Sequence, residues 1–480
     1  MTPYAWMQKV RAKGLKGVLA RLDPQRALYR QEYLSESVAL RKRLLQGLAS
    51  IWCGQEEAVA AIRAGLLREL LAHAGRRIPY YKQLFERLGL RDPGPADLTK
   101  IPLLDKPLVR AHQAALCLPG WQKHVHYPMN TGGSTGQPLE FIVDSLAGCA
   151  AAAHQEFAFR LMGFRNGDRI AAFNGVAIAD ELRRDRIYWV PRAKPQELPY
   201  GSVSYSTHYM DAQTLPLYFK SLDDTGFAFL LGYPAAIHSL ARYCLDQACR
   251  FRRPIKSVQL TSEVVLESQI ADIEEAFQTK VYLQYGMSEV AVYAHTFDAS
   301  HEYLCSPLTG WVEVLDDAGR HVKPGEEGEL VLTGFHNRLM PFVRYRPGDR
   351  AIYGGERDGV VVLKQVLGRT QDFVVRPDGT RISLTGLVFG QHFKAFARIA
   401  RWQLFQDEPG KVTVRVIPLP GFGAADRDEI AEKFRGLADM HAAIEVVETI
   451  PLTPQGKHLF LIQKITGGGA GQPRVNRSPA

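Results

Sequence analysis

Residues 130–138 read "NTGGSTGQP", three glycines and three hydroxyl side chains with no acidic group among them. Glycine has no Cβ, so successive backbone N–H groups can turn into one concavity, and Thr131, Ser134 and Thr135 can add hydroxyl donors around it. A concavity of that kind binds anions, with phosphate the expected guest. The same composition suits a polar surface turn, so the stretch alone leaves both readings open. Further along stand "TSEVV" (261–265), "QYGMSE" (284–289), "RYRPGD" (344–349), "GRTQD" (368–372) and "TPQGK" (453–457), each placing a charged group beside glycine, serine or an aromatic residue.

The elements that must carry these stretches can be read from apolar spacing. Val59, Ile62, Leu66 and Leu70 recur at intervals of three and four, which predicts a helical start with one buried stripe. From residue 169 the apolar runs "RIAAFNG", "FAFLLGYP", "VQLTSEVV" and "VYLQYG" alternate with helical segments such as "ADELRRDR" and "LESQIADIEEAFQ". Strands separated by helices require crossover connections, so the expectation is an α/β core with a largely parallel sheet covered on both faces. After residue 310 the pattern becomes one of hairpins, "WVEVLDDAGR", "GELVLTGF" and "GVVVLKQVLGR", with turns at Asp317-Ala318-Gly319 and Pro324-Gly325. Beyond "LGRTQDF" come hairpins at "VVRPDGTRIS" and around Pro409-Gly410, a helix at "DRDEIAEKFRGLADM" and a strand at "IEVVETIP". The expected organisation is a large α/β domain over 1–367 with a β-rich subdomain at 310–367, a small mobile α+β domain over 368–465, and a flexible tail at 466–480 of low apolar content.

Composition bounds the rest. With 46% hydrophobic and 23% charged residues in 480, the chain is globular and long enough for two or more cores. No window approaches the apolar length of a membrane span and no apolar block follows the basic start, so a cytoplasmic protein is expected. The six cysteines are scattered, with no C-x-x-C pair, and read as reduced thiols. A net charge of +9, clustered at "KVRAKGLKG", "RRDR" (183–186) and "RFRRPIK" (250–256), suits a polyanionic small molecule. Nucleic acid is not the expected partner, since no aromatic-interleaved basic motif is present. An oligomer is compatible with the sequence.

Glycine loop, aromatic-Gly-x-Ser-Glu, Tyr-x-x-Gly-Asp, Gly-Arg and a near-terminal Gly-Lys, in that order, resemble the adenylate-forming superfamily. The phrases "PFVRYRPGD" and "TSEVV" and a loop ending Gly-Gln-Pro look most like its phenylacetate-CoA ligase and capsular-biosynthesis branch, over roughly residues 125–465. The resemblance implies ATP-dependent activation of an aromatic or otherwise apolar carboxylic acid to an acyl-adenylate, then transfer to coenzyme A. In the same branch an amine can be the acceptor, and a non-catalytic basic binding protein is the remaining alternative.

By the same resemblance, Thr131, Gly132, Gly133, Ser134, Thr135 and Gly136 would wrap the departing phosphates and Glu289 would ligate Mg²⁺, a hard cation that prefers oxygen. Ser262, Glu263, Tyr285, Gly286 and Ser288 would lie about the adenine. Asp349 would take the ribose hydroxyls, its ionised carboxylate offering several lone pairs. Arg369 would bring positive charge from the hinge, and Lys457 would bridge the substrate carboxylate and the α-phosphate. The family's hinge position is occupied by Gln371, with Asp372 one place later. No cysteines stand in "YGGERDG" (353–359), so no structural zinc is expected, and Leu139 rather than lysine follows Pro138. Tyr233 and its apolar neighbours in "LLGYPAAIHSL" (230–240), with Phe173 and Asn174, are candidates for the acid pocket. Ordinary core is the more economical reading of them.

Overall fold

In the computed structural model, residues 39–49, 51, 59–130, 139–165, 167–191, 203–298, 300–369, 373–383, 394–453 and 456–465 are described. The chain divides into two compact units, Met1–Arg369 with Thr453–Lys457, and Thr370–Leu452 with His458–Ala480. The glycine-rich stretch 131–138, Gln371 and Asp372 and the tail from 466 lie outside the described residues.

After a helical stretch over 39–49 come helices α1 (Val59–Arg77) and α2 (Pro79–Arg87), the second started by a proline whose missing N–H costs nothing at that position. The buried stripe of α1 is Val59, Arg63, Leu67, Leu70, Leu71 and Ala74. Ile62, expected in that stripe, is 41% exposed. Arg63 takes the inward position, where its two terminal nitrogens find partners: the guanidinium lies 4.3 Å from the Trp311 ring centre, Nη1 donates to the Gly359 carbonyl (3.0 Å) and Nη2 to the Glu356 carboxylate (2.9 Å). A count of apolar residues could not see a buried arginine.

Strands β1 (His126–Asn130) and β2 (Glu140–Asp144) form an antiparallel hairpin that flanks residues 131–138. The carboxylate of Asp144 then caps α3 (Ser145–Leu161) by accepting from the Leu146 N–H at 2.9 Å. The α/β core follows: β3 (Ile170–Asn174), β4 (Trp189–Pro191), β5 (Val203–Ser206), α4 (Leu215–Thr225), β6 (Phe229–Gly232), α5 (Pro234–Asp246), β7 (Ser257–Thr261), α6 (Glu267–Phe277) and β8 (Lys280–Gly286). Strands β5, β3, β6, β7 and β8 are neighbours in that order and all parallel, with β4 antiparallel at the outer edge. The parallel sheet expected from the alternation of apolar runs and helices is present.

The hairpin region does not build a separate layer. Strands β9 (Tyr293–His295), β10 (Tyr303–Cys305), β11 (Gly310–Leu315), β12 (Glu327–Gly334), β13 (Asp349–Arg357) and β14 (Val360–Arg369) join antiparallel beyond β8. Twelve of the described strands make one sheet, ordered β11-β12-β13-β14-β10-β9-β8-β7-β6-β3-β5-β4. One apolar cluster runs from Phe173 and Leu240 in the α/β part to Leu332 and Leu363 in the hairpins, which is why the two pack as one body.

In the small unit, β15 (Phe373–Val375) pairs with β16 (Arg381–Ser383). Strands β17 (Ile399–Gln406), β18 (Lys411–Pro418), β19 (His441–Val446) and β20 (Leu461–Gln463) form a sheet ordered β19-β18-β17-β20. Helix α7 (Ala424–Ala438) covers it through Ile430 and Phe434, buried against Trp402, Leu404, Val412 and Val414.

Two glycines set the packing of the large unit. Gly310 and Gly334 face each other across β11 and β12. A Cβ on Gly310 would stand 2.1 Å from the Ala291 carbonyl oxygen, and one on Gly334 would stand 2.8 Å from the Ala291 Cα. Gly310→Ala is therefore expected to lose about 2 kcal/mol or more in urea denaturation, because backbone rather than a flexible side chain must move. Gly65→Ala, in the interior of α1 with nothing within 4 Å of the added methyl, is expected to gain about 0.5–1 kcal/mol.

Candidate active site

The carboxyl ends of the parallel strands define one edge, where ligands of open α/β sheets bind. β3 ends in Asn174 with Gly175 after it, after β5 comes Thr207, after β6 Tyr233, after β7 Ser262 and Glu263, and β8 ends in Tyr285 and Gly286. Ser262 has φ +73°, left-handed backbone that a non-glycine residue rarely adopts. Glu263 Oε2 accepts from the Ala235 N–H at 3.1 Å, so this carboxylate sits at the N-terminus of α5, where the helix dipole favours negative charge.

Tyr285 reaches from β8 to the start of β13, where its hydroxyl donates to Asp349 Oδ2 at 2.6 Å. Burial, and next the Asp349 carboxylate, hold that hydroxyl's pKa well above its ordinary range, which keeps it a donor. Asp349 begins β13 directly opposite Arg369, the end of β14, in the antiparallel register. The sequence distance between "PGD" and "GRT" thus becomes one strand-pair width.

Ser288 and Glu289 lie in the turn that leaves β8, closed by the Val290 N–H bonding to the Met287 carbonyl at 3.1 Å. Val290 holds φ +55°, an outlier for a β-branched residue. Its strain is sustained because the Val290–Ala291 backbone lies in the notch that Gly310 and Gly334 leave open. Glu289, 4% exposed, accepts from the Tyr345 hydroxyl at 2.9 Å. Burial pushes its carboxyl above the usual range and Asp349 adds to this, while the Tyr345 donor opposes it.

Tyr345 is held in turn. It exchanges backbone hydrogen bonds with Leu332, and the preceding Arg344, at φ +49°, makes a buried two-pronged pair with Glu313 (3.0 and 2.9 Å) and donates to the Ile101 carbonyl at 2.8 Å. Tyr345, Arg344 and the glycine pair hold Glu289 and its turn in place, and no motif marks them for that. The only sequence signal for them is their place inside "RYRPGD" and at strand ends.

Lys457 belongs to the loop Thr453–Lys457, which groups with the large unit. The Gly456 carbonyl accepts from Thr207 Oγ1 at 2.7 Å, and Lys457 Nζ stands 5.7 Å from the Tyr233 ring centre, over its face. The strand-end edge therefore gathers Ser262, Glu263, Tyr285, Gly286, Ser288, Glu289, Asp349 and Lys457, with the Arg369 backbone beside Asp349. Phe173 is not available to a ligand: it is buried and stacked on Tyr205, centroids 5.3 Å apart.

A divalent cation that keeps most of its water and is shared with substrate phosphates needs one or two protein carboxylates. A buried Glu289 close enough to Asp349 to feel its charge fits that demand, since a cation would relieve the cost of ionising it. Among the described residues no group of three or more His, Cys, Asp or Glu side chains gathers as a complete metal cage.

The fold is that of the adenylate-forming enzymes, a large α/β domain followed by a small C-terminal one. Residues 374–464 match the CapK C-terminal domain. The chain is similar to Protein CapK of Staphylococcus aureus, 25% identical over 385 residues that cover 77% of this chain and 81% of that one. It is also similar to phenylacetate-coenzyme A ligase of Thermus thermophilus, 23% identical over 354 residues, 66% of this chain and 72% of that one. Among solved structures, 2-hydroxyisobutyryl-CoA ligase in the postadenylation state with R3-HIB-AMP superposes with TM-score 0.65 at 19% identity, covering 84% of this chain and 89% of that one. An open conformation of the same ligase with 2-HIB-AMP and CoA gives TM-score 0.53 at 19% identity, covering 84% and 91%. Among the described residues, no helix is long and apolar enough to cross a membrane.

The raised pKa of Glu289 makes its ionisation a pH-dependent cost to the fold. The folded state holds this proton more tightly than the unfolded chain, so ionising it costs stability as pH climbs through and above the ordinary carboxylate range. Glu289→Gln removes that titration. Its unfolding free energy relative to the parent, measured by urea denaturation without nucleotide or divalent metal, is expected to increase from about pH 4 to about pH 7. A difference that stays level or falls over that range contradicts the assignment.

Proposed function

We propose that the protein is an ATP-dependent ligase that activates an aromatic or otherwise apolar carboxylic acid as its acyl-adenylate and passes the acyl group to coenzyme A. The observation that carries this reading is the approach of Lys457 to the strand-end edge that also holds Glu289, Asp349 and Tyr285. Similarity to a phenylacetate-coenzyme A ligase, and a fold shared with a ligase crystallised with an acyl-AMP and CoA, support it.

In the first half-reaction an oxygen of the substrate carboxylate attacks the α-phosphorus, and the bond to the bridging oxygen of pyrophosphate breaks. Lys457 meets the negative charge shared between the carboxylate and the α-phosphoryl oxygens, an electrostatic role that needs a fixed donor. Asp349, with one oxygen already receiving the Tyr285 hydroxyl, accepts from the ribose. Tyr285, Ser262 and Glu263 flank the adenine, and residues 131–136 would take the departing phosphates. Glu289 would hold Mg²⁺, which supplies charge neutralisation on the phosphate oxygens. In the second half-reaction the thiolate sulfur of coenzyme A attacks the acyl carbon, and AMP leaves with the electron pair of the broken anhydride bond.

Pyrophosphate release from a panel of carboxylic acids, with and without coenzyme A, tests the function. Offering amines in place of coenzyme A to the preformed adenylate tests the other acceptor. Lys457→Ala is expected to lower acid-dependent pyrophosphate exchange by about 100-fold or more while leaving the melting temperature near that of the parent. Exchange at the parental rate would remove Lys457 from the mechanism.

A further inference from the structure

The cysteines form no C-x-x-C pair, yet the end of α5 brings two of them to the same place. On a continuing helix, side chains five places apart point about 140° away from each other, so Cys244 and Cys249 would not meet. The helix does not continue. Ala248 turns into left-handed backbone at φ +50°. The Cys249 N–H then donates to the Cys244 carbonyl at 2.9 Å, and the Ala248 N–H to the Leu245 carbonyl at 3.2 Å. This six-residue closure folds the chain back so that its first and last side chains come together, and here both are thiols. A disulfide needs Cα atoms about 4.4–6.8 Å apart, a span that two residues joined by such a backbone bond satisfy.

The two thiols differ in access. Cys244 is buried in the apolar cluster of the α/β core, whereas Cys249 packs against that cluster from outside and stays partly exposed. The Cys249 Sγ lies 3.7 Å from the Gln247 carbonyl oxygen, a weak contact that leaves the sulfur open to attack. Two residues on, Phe251 stacks on Phe219 of α4 with ring centres 4.9 Å apart, so the segment carrying Cys249 is held against the fold. Both cysteines are free thiols.

We propose that Cys249 is a site of thiol–disulfide exchange and Cys244 its resolving thiol, so that a small-molecule disulfide such as oxidised glutathione leaves an internal Cys244–Cys249 bond and no lasting adduct. First the Cys249 sulfur, its proton given up to solvent, attacks one sulfur of the small disulfide; that S–S bond breaks and one thiolate leaves, to be protonated by solvent. Next the Cys244 sulfur attacks the Cys249 sulfur, the mixed S–S bond breaks, and the Cys244 proton goes to the second departing thiolate. The two protein thiols lose two electrons and the small disulfide is reduced to two thiols. Burial pushes the Cys244 thiol up to about 12, which makes it a poor first attacker; its advantage is proximity once Cys249 carries the leaving group. None of these groups belongs to the strand-end edge, so the proposal stands apart from the adenylation reading.

Trypsin cuts after Arg242 and Arg250, so both thiols travel in one peptide, Tyr243–Arg250, free of every other cysteine. The folded protein is treated with oxidised glutathione, quenched in acid, alkylated and digested, and this peptide is weighed. The parent peptide is expected to lose two hydrogen atoms and to regain them with dithiothreitol. Cys244→Ser is expected to keep glutathione on Cys249. Cys244→Ala is made beside it, because a hydroxyl at a buried position can unsettle the core, and is expected to do the same. Cys249→Ser is expected to react about tenfold more slowly or less, its remaining thiol being buried. A parent peptide that stays unmodified, or that keeps glutathione as the Cys244 variants do, overturns the proposal. So does a Cys249→Ser peptide that takes up glutathione at the parental rate, since Cys244 would then be the thiol attacked first.

Discussion

A carboxylate taken out of water next to another carboxylate is costly unless something positive or hydrogen-bonding meets it, and Glu289 beside Asp349 is such a case. Much of the large unit's interior can be understood as the apparatus that holds Glu289 in place. Tyr345 gives it one donor. The turn that carries it is bent through a left-handed valine, a conformation that persists only where the surroundings over-determine it. The surroundings here are backbone: the Gly310–Gly334 pair opens a notch that no side chain larger than hydrogen would leave. A cation bound at a site built this way would relieve electrostatic stress instead of adding a neutral contact.

The continuous sheet explains how residues so far apart in sequence come within reach. The parallel strands contribute Ser262, Glu263 and Tyr285 from their carboxyl ends, where backbone groups are unused by the ladder. The antiparallel extension adds Asp349 at the head of β13 and Arg369 at the end of β14, paired across the ladder. Had the hairpins formed an independent layer, the Tyr285 hydroxyl could not bond an Asp349 carboxylate 64 residues later. The buried Arg344–Glu313 pair serves the same end. Both charges are removed from water, so the pair contributes little net stability, but losing one partner would strand the other. Its value is in fixing the backbone just before Tyr345.

The parts of this arrangement that were legible in the sequence are those encoded locally. The α/β alternation, the hairpin turns and the chemistry-bearing motifs each sit within a dozen residues, and their order along the chain survives into the order of elements. What could not be read is pairwise and distant. Nothing at Gly310 or Gly334 says that each will meet Ala291, since a strand glycine looks alike whether it faces solvent or another backbone. Tyr345 reads as a core aromatic until its hydroxyl is seen on Glu289. Apolar periodicity puts Ile62 in the α1 stripe because it ranks isoleucine above arginine, whereas a guanidinium with an indole, a carbonyl and a carboxylate to meet is at home inside. The motif assigns Glu263 to the nucleotide, and its bond to the Ala235 N–H depends on a helix residue 28 positions earlier.

The Gly-Lys pair near the end of the chain shows why the glycine matters as much as the lysine. A lysine side chain has four rotatable carbons and loses considerable freedom when fixed, so its own flexibility cannot define where its ammonium stands. Definition comes from the backbone. Gly456 holds φ +74°, and a Cβ there would lie 2.7 Å from the Gly175 Cα and 2.3 Å from Thr207 Oγ1. Only glycine lets its carbonyl accept from Thr207 with the chain this close to the end of β3. With that carbonyl anchored, the next Cα has little choice of position, and the Tyr233 face supplies a resting place for the ammonium. The closeness of two glycines, Gly175 and Gly456, converts a long, mobile side chain into a group with an address.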